Sequence, residues 1–138
     1  ACSAAYHLAS SCDSIAARAS ADMGNIGCIL SWTDDGAFLE SMGFKTEVIT
    51  NEGADLKGTF TDSPMSDSQR EFLQDEVNRT GEEFAAHVMN CRDVDQEVFR
   101  AGWYHGERAG ELGLVDAVCT RTEARNALVH AIGLKSDI

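Results

Sequence analysis

Residues 103–118, WYHGERAGELGLVDAV, predict a strand, a helix and a second strand in close succession. The aromatic pair at the start favours a short extended segment. The stretch from Gly106 to Leu112 predicts a helix, which Gly113 ends as a left-handed cap. The run from Leu114 to Val118 is almost continuously apolar and predicts a buried strand. This order of elements indicates an α/β protein rather than a bundle or a sandwich.

The segment upstream of this stretch predicts the longest helix of the chain. Ser66 and Gln69 form a capping-box pattern at its start, and apolar residues then recur at helical spacing to about residue 91. Two further helices are predicted over residues 95–100 and 122–132.

The first half of the chain shows the same alternation of helices and strands. It predicts helices over 3–12 and 36–42, strands over 14–18, 24–30 and 44–50, and a long loop over 51–65. The strand over 24–30 carries two glycines, which predict close backbone approach. We therefore expect one domain over residues 1–138 with an α/β fold.

The composition excludes several classes of function. The net charge of −12 disfavours binding to nucleic acid, which needs a basic face, and docking on anionic lipid. Five cysteines without a short repeated spacing indicate neither a disulfide framework nor zinc, and their apolar neighbours predict that most are buried. The four histidines show no ligand spacing, so we expect no metal site and no cofactor.

Few residues qualify as nucleophile or base. Ser3 lies at the predicted start of a helix, where a serine serves either as an N-cap or as a nucleophile beside free backbone amides. His7 shares its helical face, and we interpret it as a structural residue. Lys57 stands in the long loop; it could be a solvated charge, or a general base if burial lowers its pKa. Lys45 falls in a predicted strand and Lys135 in the tail.

Four segments together resemble the signal peptide peptidase A (protease IV) family, which includes phage capsid assembly proteases. CSAAYHLAS (2–10) is similar to the helix that opens with the family's nucleophile, and GNIGCI (24–29) to its Thr-Gly-Ser-Ile-Gly-Val strand. GADLK (53–57) is similar to the Gly-Ala-His-Lys segment that carries the catalytic lysine. YHGERA (104–109) with GLVD (113–116) resembles the family's Gly-x-x-Ala…Gly-Leu-Val-Asp ending.

The resemblance implies a serine endopeptidase that uses a Ser/Lys dyad. Ser3 would be the nucleophile and Lys57 its general base, with Gly24 and Asn25 in support. Asn25 replaces a family serine that helps to orient the lysine, and one extra residue precedes Lys57. Asp55 in that segment could hold the lysine protonated.

The resemblance also implies an architecture and partners. The fold would be a Clp protease/crotonase-like superhelix, with the part before the nucleophile absent from this sequence. The substrates would be signal-peptide remnants or phage capsid and scaffold proteins. The resemblance implies a homo-oligomer that shares its site between subunits. Any membrane anchor would lie upstream of this sequence. The location stays open between phage-associated or cytoplasmic and bacterial membrane-associated. A non-catalytic assembly module and a crotonase-type acyl-CoA enzyme remain alternatives.

Overall fold

The computed structural model describes residues 1–58 and 64–133, which form a mixed α/β structure. Its α-helices are α1 (Ala4–Ser10), α2 (Gly36–Ser41), α3 (Asp67–Cys91), α4 (Gly106–Glu111) and α5 (Arg121–Ala131). Its strands are β1 (Ala16–Ala17), β2 (Asp22–Gly24), β3 (Trp103–His105) and β4 (Ala117–Val118). Two 3₁₀ helices cover Asp55–Gly58 and Gln96–Arg100. The α/β class predicted from the sequence is thus confirmed.

The strands pair in two small sheets within the described residues. β1 and β4 are parallel, with Ala16 opposite Ala117, and β2 and β3 are antiparallel, with Met23 opposite Tyr104. The strand–helix–strand order predicted for residues 103–118 is therefore confirmed as β3, α4 and β4. The predicted burial of the second strand is wrong: β4 covers only Ala117–Val118, and both residues are exposed.

The chain forms two compact units. The first contains residues 1–27 together with the described residues from 81 onward, and the second contains the described residues between 28 and 80. The buried apolar cluster lies within the first unit, and its most deeply buried members are Tyr6, Ile26, Val88, Val98, Ala109 and Leu114. No helix in the described part of the chain is both long and apolar enough to cross a membrane.

Tyr6 anchors helix α1 in the core of the first unit. Its side chain is fully buried, and its hydroxyl donates a hydrogen bond to the Leu114 carbonyl oxygen at 2.9 Å. Burial disfavours the phenolate and raises the pKa of Tyr6 to about 12. The buried Tyr6 therefore anchors the start of α1 to the core of the first unit.

The Gly-Leu-Val-Asp ending, residues 113–116, also contacts distant segments of the first unit. Gly113 has a φ of +80°, and a Cβ added there would stand 2.2 Å from the Asp93 carbonyl oxygen. Asp116 accepts hydrogen bonds from the Arg92 guanidinium at 2.7 Å and from the Ile15 amide at 2.6 Å. The bond to Arg92, followed by that to Ile15, lowers the pKa of the Asp116 carboxyl. These residues join segments that are distant in sequence.

The predicted helices are confirmed with small shifts of their ends. The Ser66 amide donates to Gln69 Oε1 at 2.9 Å and the Gln69 amide to Ser66 Oγ at 3.3 Å, which is the predicted capping box of α3. A second capping box, between Thr120 and Glu123, begins α5. The helix predicted over 95–100 is a 3₁₀ helix.

Two of the predicted strands are wrong. The strand over 24–30 ends at Gly24, because Asn25 adopts a φ of +53° and turns the chain. The segment over 44–50 forms no strand: Phe44 is 61% and Ile49 92% exposed, and no described residue pairs with the segment as a neighbouring strand. Its β-forming side chains lack the neighbouring strand on which such propensity depends.

The predicted burial of most cysteines is also wrong. Cys12, Cys28 and Cys91 are exposed, while Cys2 and Cys119 are half-buried. All five are free thiols. Apolar neighbours in sequence do not show which face of an element a side chain occupies, and here they were misleading.

Lys135 lies outside the described residues, as does part of the predicted loop over 51–65.

Candidate active site

Ser3 occupies the turn between an extended segment and helix α1. Cys2 forms a parallel bridge with Gly24, in which the Gly24 amide donates to the Ala1 carbonyl at 3.1 Å. The Ser3 amide donates in turn to the Gly24 carbonyl at 2.9 Å. The helix starts with the next residue, so the chain turns at the serine.

The backbone of Ser3 is strained. Its φ of 54° and ψ of −131° are a combination that residues other than glycine rarely adopt. Such a conformation costs on the order of 1–3 kcal/mol and persists only where the surroundings enforce it. A serine presented on a sharp, strained strand-to-helix turn is also the geometry that exposes the nucleophile in α/β-hydrolases.

The hydroxyl of Ser3 does not cap the helix. Ser3 holds the N-cap position, yet its side chain makes no capping hydrogen bond, and the residue is half-buried. The simplest structural explanation for a serine at this point therefore fails.

One backbone amide next to Ser3, at the start of α1, has no backbone hydrogen-bond acceptor among the described residues. The Ala5 amide donates to the Cys2 carbonyl, and those of Tyr6 and His7 donate to the Ser3 carbonyl. The Ala4 amide has no such partner among the described residues. An amide following a nucleophile is a common oxyanion donor. Sequence reasoning did not single out Ala4, although its place directly after the candidate serine was the available signal.

Asn25 braces the segment against which Ser3 pairs. Its amide donates to the Gly102 carbonyl at 2.7 Å, and its side-chain Nδ2 donates to the Ala101 carbonyl at 2.9 Å. Close backbone approach, predicted from the glycines of this segment, is confirmed at Gly24: a Cβ added there would stand 3.1 Å from the Gly102 carbonyl oxygen. Gly24 and Asn25 thus connect the Ser3 turn to the 101–102 turn.

Lys57 lies in the second compact unit, on the 3₁₀ helix Asp55–Gly58. Its side chain is exposed, and its backbone amide donates to the Ala54 carbonyl at 3.1 Å. A lysine acts as a general base only in its neutral form, and burial of the side chain favours that form. The described residues of its own unit do not bury Lys57. Ser3 belongs to the other unit, and its pairing with Lys57 stays a prediction.

The histidine nearest Ser3 in sequence packs elsewhere. The ring of His7 stacks on that of His87, with centroids 4.1 Å apart. His87 Nε2 lies 3.0 Å from Ser11 Oγ and 3.8 Å from Cys91 Sγ. These contacts support the interpretation of His7 as a structural residue. Within residues 1–58 and 64–133, no group of three or more ligating side chains could hold a metal ion.

The chain has an α/β fold with a serine on a strained turn before its first helix, and comparison with known families identifies its class. Residues 1–135 match peptidase family S49. The chain belongs to this family of peptidases, which confirms the resemblance carried by its four segments. No curated protein matches the chain.

Proposed function

We propose that this chain is a serine endopeptidase in which Ser3 is the nucleophile and Lys57 the general base. The observation that carries the proposal is the strained backbone of Ser3, with φ 54° and ψ −131°, together with a hydroxyl that makes no capping hydrogen bond to helix α1. A strained backbone without a structural bond to its side chain is typical of functional positions. Membership of peptidase family S49 supplies the reaction class.

The proposed reaction is acyl transfer through a covalent intermediate. Ser3 Oγ attacks the scissile carbonyl carbon while the neutral amine of Lys57 accepts the hydroxyl proton. The Ala4 amide donates to the oxyanion that forms. As the C–N bond breaks, Lys57 gives that proton to the leaving amine, and Ser3 keeps the acyl group. Water then attacks the ester carbonyl carbon and gives a proton to Lys57. As the ester C–O bond breaks, Lys57 returns that proton to Ser3 Oγ, and the new carboxyl group of the product leaves as a carboxylate after losing its own proton to solvent.

The lysine in this scheme acts in its neutral form, which burial favours, whereas the Lys57 side chain is exposed in its own unit. No ion pair joins Lys57 to Asp55 in the described structure, so that carboxylate does not hold it in a local pair. We propose that a neighbouring subunit covers Lys57, which would disfavour the ammonium by desolvation. A homo-oligomer whose site takes the serine from one subunit and the lysine from the next meets this requirement.

The proposed substrates are extended segments of polypeptide. Signal-peptide remnants and phage capsid or scaffold proteins are the two classes that the family resemblance implies. The proposed wider architecture is the Clp protease/crotonase-like superhelix. Asn25 fits a supporting part because its two hydrogen bonds hold the backbone beside Ser3.

Co-expression of two inactive variants tests the dyad and its sharing together. Ser3→Ala and Lys57→Ala subunits, carrying different affinity tags, are expected to lack peptidase activity separately. In co-purified mixed oligomers, a shared site combines an intact serine with an intact lysine. Random assembly then restores about a quarter of the sites, because adjacent subunits meet head to tail in such an arrangement.

Controls make each outcome informative. Lys45→Ala, which removes another exposed lysine of the second unit, is expected to retain full activity. A Lys57→Ala protein with undiminished activity would disprove the dyad. Inactive single variants that gain nothing on mixing would place both groups in one subunit. An inactive wild-type protein would favour the assembly module instead.

A further inference from the structure

The second compact unit contains a cavity of about 370 Å³ that none of the proposed catalytic residues lines. Its apolar lining comes from Ile29, Leu30, Trp32, Met65, Leu73 and Val77. Of these residues, Met65 and Leu73 are buried, whereas Ile29 is 89% exposed. A volume near the lower end of the range for ligand pockets suits one or two apolar side chains rather than a long acyl chain.

A cationic group stands at this apolar cavity. Arg70 lines it from helix α3, and its side chain is exposed without an ion pair to any described residue. Arg79, further along the same helix, differs in that it binds Glu76 at 2.7 Å. Because the chain carries a net charge of −12, an anionic ligand is repelled by most of its surface. A guanidinium without a partner is a natural site for a carboxylate.

The segment before α2 that also lines the cavity has unpaired backbone groups. Residues 28–32 form no helix or strand, and their amides and carbonyls make no backbone hydrogen bond with any described residue. An extended peptide can satisfy such groups with its own main chain, which a fatty acid cannot do. The cavity therefore favours a peptide over another amphipathic anion.

We propose that this cavity binds the C-terminal residue of a peptide, with an apolar side chain inside and its α-carboxylate held by Arg70. Hydrolysis of a peptide bond creates such a carboxylate, so the products of a peptidase are ligands of this kind. The binding itself does not depend on Ser3. A failure of this proposal is thus distinguishable from a failure of the proposed catalytic dyad.

Tryptophan fluorescence provides the test, because Trp32 lines the cavity and Trp103 is the other tryptophan of the chain. In a Trp103→Phe background, the protein is titrated with acetyl-Ala-Ala-Leu as the free acid and as the C-terminal amide. We expect the acid to change Trp32 emission and to bind about tenfold or more tightly than the amide, since a charge-assisted bond is lost. The same preference is expected when Ser3→Ala is added.

Two variants of α3 localise the effect. Arg70→Gln is expected to bind acid and amide equally, while Arg79→Gln, which removes the same charge from the same helix, keeps the preference for the acid. Circular dichroism checks that both variants are folded. Equal binding of the two peptides by the Trp103→Phe protein, or no binding of either, would overturn the proposal. An unchanged preference in Arg70→Gln, or octanoate binding as tight as that of the peptide acid, would overturn it too.

Discussion

Ser3→Ala and Ser3→Gly are both expected to lose peptidase activity by at least about a thousandfold in kcat, because each removes the nucleophilic oxygen. Their stabilities should differ in a direction that the backbone fixes. At φ 54° and ψ −131° an alanine retains the steric cost borne by the serine, whereas glycine relieves it. The glycine variant should therefore be the more stable by about 1 kcal/mol. Peptide hydrolysis and chemical denaturation measure the two effects.

Ser20→Ala is the matched control for this pair. Ser20 is an exposed serine of the same unit with no side-chain hydrogen bond among those described, so its loss should change neither activity nor stability. Wild-type activity in either Ser3 variant would contradict the catalytic assignment. A glycine variant less stable than the alanine variant would contradict the strain at this turn.

Gly113→Ala is expected to be the most damaging single substitution to the fold. A left-handed φ of +80° costs a residue with a side chain about 1–2 kcal/mol, and the new Cβ would also meet the Asp93 carbonyl oxygen at 2.2 Å. The backbone has to shift to relieve that contact. Together these effects should lower the free energy of unfolding by about 3 kcal/mol or more, and Tm by roughly 10 °C.

Gly110→Ala gives the opposite expectation three residues earlier. Gly110 lies in α4, and a Cβ added there would meet only ordinary contacts, at 3.8 Å from Val118 Cγ2 and 3.9 Å from Val115 Cγ2. Replacing a helical glycine by alanine stabilises by roughly 0.5–1 kcal/mol. Calorimetry on both variants compares them directly. Similar destabilisation by the two changes would show that the close approach at Gly113 is not the cause.

The elements that could be predicted from the sequence are those whose signals are local. The helix after Ser66 carries its own capping box, and the short strand–helix–strand segment carries its own glycine stop. Residues 44–50 show the limit of such reasoning, because a β-rich segment becomes a strand only beside a partner, and pairing is a property of the whole fold. The strand predicted over 24–30 fails for a different reason, because Asn25 adopts a positive φ and turns the chain after Gly24.

The candidate site was predictable only in part. Ser3 and Lys57 were singled out because four segments occur together in the order of a known family, since locally each had an ordinary explanation. The sequence could not show the strained backbone of Ser3 or the missing cap hydrogen bond, because Ser3 pairs with Gly24, which is distant from it in sequence. The structure also gives the family's Gly-Leu-Val-Asp ending a reason: Gly113 permits close packing, and Asp116 ties Ile15 to Arg92.

The account depends above all on the nucleophilicity of Ser3 Oγ. Reaction of the full-length protein with a fluorophosphonate, followed by proteolysis and mass spectrometry, identifies the residue that becomes phosphonylated. We expect the adduct on the peptide that contains Ser3, and no adduct in the Ser3→Ala variant. An adduct on another serine, or labelling that survives Ser3→Ala, would contradict the account.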